Sequence, residues 1–148
     1  MTTRLILTIA VLLTATSCYA SDADITLGRQ WAKCSQQAKI LQKLTKDTEE
    51  AKTLKKAGAL FRIYADAALG SSDSLVEREK TEAAFLHGIS VDSKANSAAH
   101  LANFYKQAKA DAEICSASLT QHGSKFEGEV DRLLKRSNTR TSSAGGKS

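Results

Sequence analysis

The stretch AAHLANFYKQAKADAEICSASL, residues 98–119, decides the fold class of this 148-residue chain. Ala98, Leu101, Tyr105, Ala108, Ala112, Cys115 and Leu119 alternate at spacings of three and four over three heptads. That period puts one apolar stripe on an α-helix, whereas a strand would alternate every second residue. Gly123 predicts the end of this helix, since glycine adopts the backbone conformations that close a last turn.

The same period recurs upstream. Leu27, Trp31, Cys34, Ala38 and Leu41 mark a first helix, with Arg29, Lys33, Gln36, Gln37, Lys39 and Lys43 between them as an expected solvated face. A second helix is expected from Asp47, with Glu50 as capping-box partner, along Leu54, Ala57, Phe61, Tyr64 and Ala68 to Gly70. Ser71 to Ser74 reads as a turn, after which Ser74 and Glu77 repeat the capping box for a third helix to about His87. Residues 88–93 read as a loop or a kink. A short fifth helix is expected from Ser124 through Phe126, Val130, Leu133 and Leu134.

With no proline in the chain, these readings add up to an all-α fold, an up-and-down bundle of about four amphipathic helices occupying residues 21–136. Residues 137–148 carry too little apolar surface to offset their ordering entropy and are expected to form a disordered basic tail. Gly58 inside the second helix costs about 1 kcal/mol relative to alanine and reads as a close contact between helices. Trp31, Phe61, Tyr64, Phe85, Phe104 and Tyr105 are the large groups available for the core, with a few of them candidates to line a groove between helices.

Residues 1–20 have the layout of a secretory signal peptide. Arg4 is the only charge, Leu5 to Leu13 is apolar apart from Thr8, and Cys18 and Ala20 stand three and one positions before a cut after Ala20. The apolar run is too short for a bilayer span, which needs roughly 20 residues. Ala15-Thr16-Ser17-Cys18 resembles a bacterial lipobox, with alanine where leucine is usual, and makes Cys18 the candidate for lipidation. The expected location is therefore periplasmic or secreted, or anchored to the outer membrane if Cys18 is lipidated.

Removing the leader takes away Arg4 and leaves 20 basic against 16 acidic residues, and Lys135, Arg136, Arg140 and Lys147 account for that whole excess. The basic balance belongs to the C-terminal end, so it gives no reason to expect a specific nucleic acid as partner, or a membrane unless Cys18 is lipidated. Two cysteines remain. Cys34 and Cys115 both lie on apolar stripes, and an oxidising compartment favours a disulfide between them.

Most reactive constellations fail on residue types. There is no C-x-x-C, no G-x-S-x-G and no Ser-x-x-Lys. His87, His100 and His122 show no ligand spacing, and the only methionine is Met1, so no metal or other cofactor is expected. Asp66, Glu79, Glu82 and Asp111 are the carboxylates that would have to pair across helices in an enzyme, and they read as solvated faces. The expected function is a non-catalytic protein-binding or accessory module with a protein partner. The alternatives are a lipoprotein adaptor lipidated at Cys18, a stress chaperone that releases an apolar surface, and an enzyme with an unrecognised cross-helix site.

Overall fold

A computed structural model describes residues 20–91 and 94–144. Residues 1–19, where the leader is expected and which include Cys18, and residues 145–148 lie outside the described part. The chain forms five α-helices in order: α1 (Asp22–Leu44), α2 (Thr48–Leu69), α3 (Ser71–Val91), α4 (Lys94–His122) and α5 (Glu127–Ala144), with a 3₁₀ turn at Gly123–Phe126 joining the last two. The described residues form a helical bundle without strands.

Side chains at the helix starts satisfy amides that have no partner within the helix. Ser21 accepts from the Asp24 amide at 3.2 Å, and Asp22 and Asp24 in the first turn suit the positive end of the α1 dipole. Asp47 caps α2 as expected, accepting from the Glu49 and Glu50 amides at 2.8 and 2.9 Å. Glu50 does not complete the capping box. Its carboxylate instead takes the Thr45 hydroxyl and, from α4, the Tyr105 hydroxyl at 3.1 Å.

Gly70 alone reverses the chain between α2 and α3. Its φ of 82° and ψ of 151° lie in a region that side chains exclude. Its amide donates to the Asp66 carbonyl and its carbonyl accepts from the Ser74 amide, each at 3.0 Å. With the reversal confined to one residue, Ser71 to Ser74 form the first turn of α3 and not a separate turn. Ser74 is accordingly buried inside the helix instead of capping it.

Two further expectations change. Residues 88–91 continue α3, so the undecided stretch narrows to residues 92 and 93, outside the described part. α5 runs on to Ala144, so residues 137–144 are helical where composition argued for disorder. No glycine or proline interrupts them, and the Thr139 hydroxyl donates to the Lys135 and Arg136 carbonyls. Residues 137–139 are exposed, a solvated extension of the helix.

α1 packs against α2, α3 and α4, and α5 packs on α2. A helix contacted on three sides keeps no broad solvent face. Cys34, Ser35, Gln36, Gln37 and Ala38 are all buried in succession, and the two glutamines expected among solvated residues are each 4% exposed. Arg29, Lys33, Lys39 and Lys43 do stay exposed.

The core gathers Trp31, Ala32, Cys34, Phe61, Ala65, Ala68 and Cys115. Trp31 meets Tyr64 and Phe126 edge-on, at centroid distances of 5.8 and 5.4 Å, and its Nε1–H donates to the Ser118 hydroxyl at 2.9 Å. Cys34 and Cys115 form the expected disulfide, with Cα atoms 6.7 Å apart. Gly58 is a close contact: a Cβ there would stand 3.3 Å from the Ala38 Cβ, and its carbonyl accepts from the Ser35 hydroxyl at 2.9 Å.

The α4 stripe is partly misplaced by the sequence reading. Ala108 and Cys115 are buried, but Leu101 and Tyr105 are exposed, and His100 and Phe104 take the inward positions. At 100° per residue, Phe104 points about 20° away from the direction of the bridged Cys115, and Tyr105 about 80° away. The disulfide thus sets the rotation of the helix, and α3 lies on the side that His100 faces.

Candidate functional site: a groove between α1, α3 and α4

The rotation of α4 opens a groove of about 620 Å³. Its floor is Ala84, Phe85, His100 and Phe104, with ring centroids 4.5 Å apart for Phe85 and Phe104 and 5.9 Å for Phe85 and His100. One residue makes this floor possible. A Cβ at Gly88 would fall 2.0 Å from His100 Cε1, so the imidazole can lie against α3 only because position 88 has no side chain.

Arg29 and Lys33 from α1 and Lys80 from α3 form a basic rim, with Glu77 the single carboxylate lining the groove among the described residues. Glu77 lies 2.8 Å from Lys80 and 3.7 Å from Arg29. Behind the rim, Asp111 accepts from Lys33 and from Gln37 Nε2 at 2.7 Å each, and from Gln107 Nε2 at 3.0 Å. Burial raises the Asp111 carboxyl, but hydrogen bonds from Lys33, Gln37 and Gln107, with the Lys33 charge, outweigh it and hold the group below its ordinary value.

Two polar atoms in the walls lack partners. Gln37 Oε1 and His100 Nε2 are closed off from solvent without a hydrogen bond. Unsatisfied buried polar atoms are uncommon in native folds and cost about 1–3 kcal/mol each. An apolar floor, two unmet hydrogen-bonding atoms and a cationic rim together suit an apolar group with a polar, acidic flank.

The residues singled out from sequence separate into distinct places. Cys34 and Cys115 serve the core as the disulfide. His100 joins the groove while His87 and His122 lie elsewhere, and the described residues hold no group of three or more His, Cys, Asp or Glu that could bind a metal. Asp66 sits between Arg62 and Arg78, Glu82 faces Lys43, Asp111 holds Lys33, and Glu79 is exposed. Asp66, Glu82 and Asp111 thus meet cations and not one another. Among the described residues, no helix is long and apolar enough to cross a membrane.

The sequence reading counts Phe85 and Phe104 among the aromatics that can line a groove, and both do; it misses the inward face of α4 because that face carries His100 and Asp111, polar residues that blur an apolar stripe. The run His100, Phe104, Ala108, Asp111, Cys115 and Ser118 steps by four, four, three, four and three, and allowing a histidine and an aspartate inward would have revealed it. Comparison of the chain with protein families, with curated proteins and with solved structures finds no match.

Proposed function

We propose that this chain is a secreted or periplasmic, non-catalytic binding module whose α1/α3/α4 groove takes a segment of a partner protein. The segment has one or two large apolar side chains flanked by carboxylates. The groove carries the reading: its aromatic floor matches the apolar side chains, and Arg29, Lys33 and Lys80, against one lining carboxylate among the described residues, match the acidic flank. Gln37 Oε1 can accept a hydrogen bond from a backbone amide of the bound segment. The Cys34–Cys115 bridge and the leader-like layout of residues 1–20 support an oxidising compartment.

The test is fluorescence anisotropy of the mature protein with labelled peptides that combine phenylalanine or leucine with aspartate and glutamate, against peptides carrying lysine in place of the acids. Acidic–apolar peptides should bind. Arg29→Glu and Lys80→Glu should each weaken binding about fivefold, the equivalent of about 1 kcal/mol for an exposed ion pair. Phe104→Ala should weaken it further at unchanged helicity. Equal binding of acidic and basic peptides, or binding indifferent to both charge reversals, would sink the proposal.

A further inference from the structure

A second hollow, of about 250 Å³, lies on another face of α1, where α1, α2 and α3 meet. Four cations line it, Lys39 from α1, Lys55 and Arg62 from α2, and Arg78 from α3, and among the described residues no carboxylate does. Asp66 stands beside them, 3.7 Å from Arg62 Nε and 3.8 Å from Arg78 Nη2, and holds both guanidinium groups. Arg78 is further fixed by its Nε–H, which donates to the Ser74 carbonyl at 3.2 Å. Among the described residues Lys39 and Lys55 form no ion pair, so one carboxylate is set against four positive charges.

A separate observation comes from Gln36. This residue also lines the hollow and is 4% exposed, yet its buried Nε2 donates to nothing. A buried amide donor without an acceptor and a cluster of like charges are each unfavourable, and an anion with several oxygens relieves both at once. The volume falls below the roughly 300 Å³ at which pockets begin to hold drug-sized ligands. That size restricts the occupant to a small ionic group, and guanidinium forks beside ammonium groups suit a tetrahedral oxyanion.

We propose that this hollow is a binding site for a phosphate group, held by Lys39, Lys55, Arg62 and Arg78 and oriented by the Gln36 amide. The group comes either from free phosphate or from a phospholipid head.

Calorimetric titration of the mature protein with inorganic phosphate at low ionic strength tests it, beside sedimentation with phosphatidylglycerol vesicles and with neutral phosphatidylcholine vesicles. The expected result is one phosphate per chain. The Lys39→Gln/Lys55→Gln variant should weaken binding about tenfold or more, the equivalent of about 1.4 kcal/mol. Both lysines are exposed, so its melting temperature serves as the check on folding. A charge-matched control, Lys52→Gln/Lys106→Gln, removes two cations outside the hollow and should change binding less than about twofold. Binding confined to phosphatidylglycerol vesicles, and lost in the Lys39/Lys55 variant, assigns the group to a lipid head, whereas binding of inorganic phosphate assigns it to the free ion. The site is overturned if neither probe binds, or if the Lys39/Lys55 variant and the control bind alike.

Discussion

Reducing the Cys34–Cys115 bridge removes the covalent tie between α1 and α4. The two residues are 81 positions apart, and closing a loop of that length lowers the entropy of the unfolded chain by about 15 cal/mol/K, or about 4.5 kcal/mol at 25 °C. A chain of about 128 residues, the length proposed for cleavage after Ala20, has an unfolding entropy of about 0.27 kcal/mol/K near its midpoint, so losing the bridge should lower Tm by about 17 °C. Cys34 and Cys115 are 3% and 0% exposed, which keeps reductant away from the folded bridge. Reduction therefore has to be carried out in denaturant, before refolding with reductant present. Circular-dichroism melts of the oxidised protein, the reduced protein and Cys34→Ala/Cys115→Ala separate the contributions. The reduced form keeps both sulfur atoms in the core and reports the cross-link alone, while the double alanine variant adds a cavity beside Trp31 and should melt lower still. A reduced form that melts within about 4 °C of the oxidised one, the effect of only about 1 kcal/mol, would refute the entropic reasoning. Two titratable thiols per chain in denatured, unreduced protein would refute the bridge itself.

Three other outcomes are expected. Ser118→Ala leaves the buried Trp31 Nε1–H without its acceptor and should cost about 1–3 kcal/mol in urea unfolding; a neutral result would mean that the indole finds another partner. A Cβ at Gly28 would fall 2.5 Å from Leu69 Cγ and 3.0 Å from the Ala68 Cβ, so Gly28→Ala should overpack the α1/α2 contact by about 1–3 kcal/mol. Gly58→Ala, where the nearest atom is 3.3 Å away, should stay within about 1 kcal/mol of the parent, and the reverse order of denaturation midpoints would contradict this packing. The Asp111 carboxyl is lowered on folding, so the stability it contributes is fully present above its unfolded value of about 3.9 and disappears as pH falls through the lower folded value. The stability gap between the parent and Asp111→Asn should be widest at neutral pH and close in strong acid, and a gap unchanged down to about pH 2 would exclude the linkage.

Helical periodicity is a local property, and the features that rest on it are legible in the sequence. Trp31, Cys34 and Ala38 repeat at helical spacing because each needs the same side of one helix. The Cys34–Cys115 pair is legible for a related reason: both cysteines stand on apolar stripes, on two different helices. The Asp47 cap and the close contact at Gly58 also depend on neighbours within a turn or on one adjoining helix.

Properties that depend on which helix lies at the centre are not legible. Gln36 and Gln37 read as solvated because glutamine usually is, and only the packing of α2, α3 and α4 around α1 buries them. Tyr105 and Phe104 stand about 100° apart around α4, one on each side of the Cys115 direction, and the choice of the inward aromatic is one that a three-and-four spacing cannot resolve and the disulfide does. His100 lies against α3 because Gly88, twelve residues away across the α3–α4 connection, leaves room for its ring. By itself, then, the sequence determined the helices, the bridge and the leader-like start, since each rests on short-range spacing or on residue chemistry. The tertiary structure decided the groove and the basic hollow, because a concave site arises only where side chains from three separate helices are brought to one place.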